Sequence, residues 1–309
     1  MKKCSIFSLA VILTVSIQNS LAQDISLIKT THLSHYPSAS TLEFHQGKLY
    51  VIGDDATQAL VLDKDHVLVD SIRLFPGSRK KRISKKTKAD IESTIIVNRD
   101  DSDYLVAFGS LSSSKRNQVL WVDLEDGKWK KTSTFTMNHS DIDEWNIEGT
   151  ALVNNRLLLT NRANNSSRAN HLLVTIFDEK KGINPDSIHS IRLRLPEGKS
   201  IMGISSISYL KEKDMILFAA STENTSNAKD DGAIGDSYIG YISNISKKLD
   251  QKELRPDEII NITKHLKSKH PQKIESIVVE EPSGKDLIVH LAADNDNGQS
   301  MLFKLKWKM

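Results

Sequence analysis

The stretch NIEGTALVNNRLLLTNRANNSSRANHLLV, Asn146 to Val174, constrains the fold more than any other part of the chain, because its pattern recurs. A glutamate introduces a short apolar strand (Ile147 to Val153), an Asn154-Asn155 turn follows, and a second apolar strand runs from Arg156 to Thr160. A polar loop then leads to a third strand that opens at His171. Short apolar runs broken by turn-forming residues predict a three-stranded meander. The same pattern surrounds Glu92 (IESTIIV, DYLVAFGS, QVLWVDL) and Glu275 (IESIVVEE, DLIVHLAADND, SMLFKLKW). Looser copies begin near Ala39 (ASTLEF, KLYVIGDD, ALVLD) and Ser205 (SSISYL, DMILFAAST, SYIGYIS). The equivalent positions Ala39, Glu92, Glu148, Ser205 and Glu275 stand 53, 56, 57 and 70 residues apart. Five copies at this spacing predict an all-β chain folded as a closed β-propeller of five four-stranded blades.

The longest interval holds an insertion, Ser221 to Asp236, and a long exit containing PDEIINITKHLKSKH, where a helix of two or three turns is expected after Pro256. Six blades are the alternative, but about 15 surplus residues are too few for four strands of about 5 residues with their turns. The last repeat supplies three strands, Ile274 to Val279, Asp286 to Ala293 and Ser300 to Lys306. Earlier repeats have room for a fourth, as at Val67 to Phe75, Trp129 to Met137 and Ile188 to Leu195. The segment Asp24 to Leu33 (DISLIKTTHL) reads as a strand that lies upstream of the first repeat. As the outer strand of the last blade it would close the ring and leave no long sheet edge at either end. The competing arrangement is an open sandwich with a loose N-terminal tail.

Lys2 and Lys3 precede a mostly apolar run from Ile6 to Ile17, and Ser20-Leu21-Ala22 offers the small residues that a signal peptidase reads. Residues 1–22 are therefore expected to be a secretory signal peptide, and residues 23–309 a single propeller domain. The expected protein is exported, periplasmic or extracellular, soluble, without a membrane span and monomeric, because no run of 18 apolar residues follows. The single cysteine, Cys4, lies inside the signal, so disulfides and thiolate metal sites are excluded from the mature chain. Loss of Lys2 and Lys3 lowers the 42 basic residues to 40 against 39 acidic ones. That near-neutral balance argues against a nucleic-acid partner.

In an up-and-down blade, the start of the innermost strand and the loop from the second to the third strand share one face of the ring. That face receives Glu92, Glu148 and Glu275 from the strand starts. From the loops it receives Asp54 and Asp55, Ser110 to Asn117 with Arg116, Asn161 to Arg168 with Arg162, Glu223 to Asp236 with Asp230 and Asp231, and Asp294 to Gln299 with Asp296. Carboxylates gathered at a funnel repel and raise one another's pKa, so they need compensation. One source is a divalent cation. Oxygen-only ligands on flexible loops suit Ca²⁺ better than Mg²⁺, and the candidate ligands are Glu92, Glu148, Glu223, Asp230, Asp231, Glu275, Asp294 and Asp296. The other source is basic side chains, for which Arg79 to Lys88 supplies seven in ten residues. A solvated loop explains that run equally well, and DNDNG also fits a polar turn. The latter is no EF-hand, because the twelfth position from Asp294 is Leu305.

Other signatures of chemistry are missing: there is no G-x-S-x-G, H-E-x-x-H, G-x-x-x-x-G-K or G-x-G-x-x-G. The ten histidines are scattered and read as surface or strand residues. Trp121, Trp145 and Trp307 read as packing residues between blades, with Trp145 also placed to line the funnel beside Glu148.

The segments SASTLEF, KLYVIGDDATQALVLD, KKTKADIE, LVAFGS, NIEGTALVNNRLLLTNRAN, ENTSNAKDDGAIGDSYIGYI and DNDNGQS resemble an uncharacterised group of exported bacterial β-propellers. That group is similar in turn to the esterase-like propellers named for a phytase. The resemblance implies the fold over nearly all of the mature chain, but little function, since fold does not determine activity. It marks Asp54, Asp55, Lys88, Asp90, Glu92, Arg116, Glu148, Arg162, Glu223, Asp230, Asp231, Glu275, Asp294 and Asp296. Ser93 and Ser276 stand where a smaller residue is expected. Two functions follow. The face binds a small polar or anionic ligand, a glycan or a protein, through Asp54, Asp55, Lys88, Arg116, Glu148 and Arg162. Alternatively, a bound cation makes it a phosphoester or ester hydrolase of the phytase-like type.

Overall fold

In a computed structural model, residues 25–309 are described apart from 37, 76–80, 179, 181, 197, 199, 225–231, 281–283, 285 and 296–297. The expected signal peptide lies outside these residues. The strands form five sheets, antiparallel apart from one short parallel pairing at Glu253–Leu254, arranged as a five-bladed propeller. The first blade holds Ala39–His45, Lys48–Gly53, Gln58–Asp63 and Leu68–Arg73, and the second holds Ile91–Arg99, Ser102–Gly109, Gln118–Asp123 and Lys128–Thr134. The third consists of Ile147–Val153, Arg156–Asn161, Asn170–Asp178 and His189–Leu193, with short additions at Gly182–Ile183 and Glu253–Leu254. The fourth holds Met202–Leu210, Met215–Asn224, Ala233–Ser243 and Glu258–Asn261.

The fifth blade contains Ile274–Val279, Asp286–Asp294, Ser300–Lys308 and, as its outer strand, Ile25–Leu33. The N-terminal strand runs antiparallel to the C-terminal one, from Ile25 opposite Trp307 to Leu33 opposite Ser300, with a bulge at Ile28. This is the closure expected from the surplus strand at one end and the missing strand at the other.

Strand chemistry follows position in the blade. Second strands are covered on both faces by neighbouring blades and read as continuous apolar runs, such as YLVAFG and RLLLTN. Outer strands face water, and KWKKTST is exposed at all but one position. Five clusters of buried apolar side chains occupy the five seams between blades. The seam between the fourth and fifth blades contains seventeen buried residues, including the fully buried Trp307. The closing seam between the fifth and first contains ten. Closure therefore relies less on apolar burial than the other contacts do.

Two expectations are corrected. The segment after Pro256 is not helical: Glu258–Asn261 pairs with Tyr238–Tyr241 as the outer strand of the fourth blade. The β-branched Ile259, Ile260 and Ile262 suit a pleated strand better than a helix, and Lys267 breaks any further regularity with φ +51°. The repeat position in the first blade is Ser40, one residue after Ala39. Every innermost strand carries a register shift at the same place, and the bulged residues are Ser40, Glu92, Glu148, Ser205 and Glu275. A bulge re-aims the side chain it carries.

Deleting residues 24–33 should lower the melting temperature sharply, because it exposes the ladder of Ser300–Lys308 and uncovers Trp307. A melting temperature equal to that of the full-length protein, measured by calorimetry, would show that the strand is a dispensable tail.

Candidate functional site

The bulges bring Glu92, Glu148 and Glu275 to one mouth of the central channel. Two residues earlier, just before each strand begins, stand Asp90, with φ +57°, Asn146 and Lys273. These positions, with the loops that follow the second strands, build a buried charge network in two halves.

In the first half, Lys88 Nζ lies between Asp54 Oδ2 and Asp90 Oδ1, the latter at 2.6 Å. Arg116 Nη1 reaches Asp90 Oδ2 at 2.7 Å, and Ser110 Oγ donates to the same oxygen at 2.5 Å. Gly109 permits this arrangement, since a Cβ there would lie 2.4 Å from the Arg116 carbonyl oxygen and 2.6 Å from that of Ala89. Asp55 pairs with Arg82 through Nε at 2.7 Å and Nη2 at 2.6 Å.

In the second half, Arg162 joins three blades. Its Nη2 lies 3.2 Å from Glu223, and its Nη1 lies 3.4 Å from Glu275 and 3.6 Å from Glu148. Lys273 Nζ adds contacts to Glu275 at 2.9 Å and Glu223 at 3.4 Å. Asn146 Nδ2 donates to Glu148 at 2.7 Å, and the Gly232 backbone N–H donates to Glu223 at 2.8 Å. Gly203 gives Arg162 its room: a Cβ there would sit 2.7 Å from Nε.

Glu92 differs from its neighbours. Among the described residues its carboxyl makes no hydrogen bond or ion pair, although its oxygens approach those of Asp54 and Asp90 to within 4.8 Å. Burial, and then the charges of Asp90 and Glu148, push its pKa well above the usual carboxylate range. Burial also takes Glu148 up to about 8 against the pull of Arg162, and Asp54 up to about 6 against that of Lys88. Glu275 moves the other way, because Lys273 and Arg162 overcome its burial. The net charge explains the pattern. Among the described residues, the six carboxyls of Asp54, Asp90, Glu92, Glu148, Glu223 and Glu275 face the four basic groups of Lys88, Arg116, Arg162 and Lys273. Protons on two carboxyls remove the surplus, and a neutral carboxylic acid both donates hydrogen bonds and acts as a general acid.

Beyond this floor the channel is a cavity of about 170 Å³ whose lining includes Thr41, Glu43, Ser93, Thr94, Thr150 and Ser206. Hydroxyl groups tie the innermost strands together there, with Ser40 Oγ donating to the Ile91 carbonyl at 2.5 Å and Thr150 Oγ1 to that of Thr94 at 2.9 Å. Burial holds Glu43, bonded to Thr94, up to about 8.

The sequence-predicted residues Asp54, Asp55, Lys88, Arg116, Glu148, Arg162, Glu92, Glu223 and Glu275 thus meet on one face. Asp294 stands at the rim, where its charge is felt by Arg82. Asp230, Asp231 and Asp296 lie outside the described residues. Arg168 is not part of the network; it lines a separate groove with Arg192 and Arg194. The stretch Glu223 to Asp236 is only partly a loop, because the ladder pairs Glu223 with Ile234 and Asn224 with Ala233. Trp145 packs on the core between the second and third blades. Sequence reasoning missed Lys273 and Asn146; their signal was the position two residues before a bulged glutamate.

A model described as a family of unknown function, DUF6929, matches residues 35–306, a span that reaches into all five blades. The chain belongs to the DUF6929 family. No curated protein matches it. The crystal structure of the glutaminyl cyclase of Myxococcus xanthus is similar to this DUF6929 chain with a TM-score of 0.52 at 12% identity, covering 93% of this chain and 97% of the cyclase. A putative exported protein of Bacteroides fragilis gives 0.40 at 11%, covering 93% and 95%. The likeness to the cyclase is one of fold alone. These matches give the phytase-type grouping no support. Among the described residues no helix is long and apolar enough to cross a membrane.

Replacing Arg162 by Met should destabilise the DUF6929 chain by about 3–5 kcal/mol at pH 7, because three buried glutamates lose a shared partner. Urea unfolding at pH 7 measures the effect.

Proposed function

We propose that the charged mouth of the channel binds a small polar ligand, and that Glu92 is the group that meets it. The observation that carries this is the combination of an unpaired carboxyl at Glu92 with a network in which the surrounding acids are held by Lys88, Arg116, Arg162 or Lys273. A perturbed group in a concave site marks a functional candidate. The surplus of two carboxyls over basic groups favours a neutral or cationic ligand, such as a sugar hydroxyl or an amine, over a free anion. Glu92 offers a proton to a neutral acceptor, or loses it and pairs with an ammonium. The surrounding lysines and arginines fix Asp54, Asp90, Glu148 and Glu275 so that the geometry is set before the ligand arrives. The signal-like segment at residues 1–22 supports an exported setting for this binding.

Glu92→Gln preserves the shape and hydrogen-bonding capacity of the neutral acid while removing its proton. In a thermal-shift screen of neutral sugars, amines and carboxylates, neutral or cationic compounds should stabilise the wild-type protein. Amine stabilisation should fall at least tenfold in apparent affinity in Glu92→Gln. Stabilisation by carboxylates alone, unaffected by the substitution, would refute the assignment.

A divalent cation is the second reading, and the closeness of Asp54, Asp90 and Glu92 favours it. Lys88 is the internal cation of that trio, so a Ca²⁺ ion would have to displace its ammonium from Asp54 and Asp90. Calorimetry with Ca²⁺ tests this. If calcium binds there, Lys88→Met should bind it more tightly than the wild type, whereas no heat from either protein at millimolar calcium removes the cation. The metal-dependent phosphoester or ester hydrolase expected as the alternative depends on that ion and stands or falls with the same titration.

A further inference from the structure

The face of the ring that carries the acidic channel mouth also carries a basic groove. Arg168 ends the polar loop that Arg162 begins, and Arg192 and Arg194 flank Leu193, the last residue of the outer strand His189–Leu193. The three arginines line one cavity of about 320 Å³, together with residues of the crossing to the fourth blade, among them Leu195 and Met202. Asn170, buried in the lining, ties the two blades together. Its Oδ1 accepts from the backbone N–H groups of Ala163 at 3.0 Å and Ile204 at 2.9 Å, and its Nδ2 donates to the Met202 carbonyl at 2.8 Å. Leu193 and Met202 belong to the apolar core between the third and fourth blades, and Leu195 packs against it. The lining thus joins apolar surface to guanidinium groups.

The charges around this groove do not cancel. Arg194 Nε donates to Glu253 Oε2 at 2.6 Å, and Arg255 Nη2 reaches Glu253 Oε1 at 3.5 Å. The register sets Arg192 opposite Glu253 as well, so one carboxylate serves three arginines. Asp141 is a second acid within reach, since its charge and that of Arg192 both act on His171. Glu197 and Lys199 of the crossing contribute one charge of each sign and leave the balance unchanged. Among the described residues, Arg168, Arg192, Arg194 and Arg255 thus face Glu253 and Asp141, a surplus of at least two positive charges. Arg168 and Arg192 make no side-chain hydrogen bond or ion pair among those residues. Exposed arginines are ordinary on a protein surface. These differ because they line a concavity with apolar surface, the composition of a site for a small molecule.

We propose that this groove binds the carboxylate or phosphate group of a small organic anion through Arg168 and Arg192, with a short apolar body of the ligand lying on Leu195 and Met202. A guanidinium presents a planar fork of donors that matches two oxygens of either head group. The ion pair with Glu253 holds Arg194 in place beside them. At about 30 Å³ for each water-sized group, the cavity has room for about ten non-hydrogen atoms, which suits a head group carrying a chain of a few carbons. The site is independent of Glu92. The channel mouth has a surplus of acid and favours neutral or cationic compounds, whereas the groove has a surplus of base.

Calorimetric titration of the whole chain with hexanoate and with butyl phosphate, at constant ionic strength, should show binding of at least one of them, and the tighter of the two identifies the head group. Arg192→Gln should weaken that binding about tenfold or more, the loss expected for a hydrogen bond to a charged group. Arg168→Gln should do the same. Both side chains are exposed, so the melting temperatures of the variants should match that of the wild type. Hexanol, which keeps the apolar body without the charge, should not bind. Acetate and inorganic phosphate, which lack the body, should bind about fivefold or more weakly than their alkyl counterparts. Glu92→Gln should leave the groove's affinity unchanged, so the groove and the channel mouth fail separately. No heat from either alkyl anion at millimolar concentration would overturn the site, as would equal binding by the wild type and both arginine variants. Acetate and phosphate binding as tightly as hexanoate and butyl phosphate would overturn the apolar half of the assignment.

Discussion

The antiparallel ladder between residues 25–33 and 300–308 is the contact on which the rest of the molecule depends. Four of the five blades draw their four main strands from consecutive sequence, so each forms those ladders locally. The fifth is made from the two ends of the chain and cannot exist until they meet. Only a closed ring points all five innermost strands at one axis. The glutamates of the second, third and fifth blades otherwise belong to separate sheets, with no reason to approach. Ring closure thus creates the like-charge problem at the channel mouth, and the same act brings in the residues that solve it.

That solution is unequal around the ring. Arg162 and Lys273 bind together the acids of the third, fourth and fifth blades, and Lys88 and Arg116 bind those of the first and second. Removing one partner from such a group costs more than the group contributes as a whole, because the remaining charges stay buried. These ion pairs are best understood as fixing which residues meet, with apolar burial in the five seams providing most of the stability. Glu92 sits between the two halves and belongs to neither.

The propeller was legible because its determinants are local and repeated. A glutamate before an apolar strand, a short turn and a second apolar run recur at a spacing that suits one four-stranded blade per repeat. The missing fourth strand and the unassigned N-terminal strand gave closure by subtraction. The register of the first blade was misjudged by one residue, since Ala39 and Ser40 are both small and only the bulge distinguishes them. The strand at Glu258–Asn261 was hidden by polar neighbours of high helix propensity and was decided by the sheet edge waiting to be covered, a tertiary effect. The site was legible as a list of acids on one face. Their partners were less so: Lys273 and Asn146 are ordinary polar residues in sequence, and matter only because each stands two positions before a bulged glutamate at the channel mouth. The histidines at 66 and 290 are separated by 224 residues and carry no motif, so their pairing could come only from the closed ring.

The two buried polar systems illustrate different uses of the same physics. At the channel mouth, charges of both signs are crowded together, with more acid than base, and protons make up the difference. A site of that kind is responsive, because a ligand that brings positive charge or accepts a proton changes the occupancy of groups already near balance. At the closing seam, Thr31, His66, His290, Glu280 and Lys304 form a second buried polar group, in which both signs of charge are already matched between Glu280 and Lys304. The larger seams are filled by residues such as Trp307 and Phe218. The smallest apolar core in the ring is therefore the one supplemented by polar contacts across it, and it lies beside the ladder between residues 25–33 and 300–308.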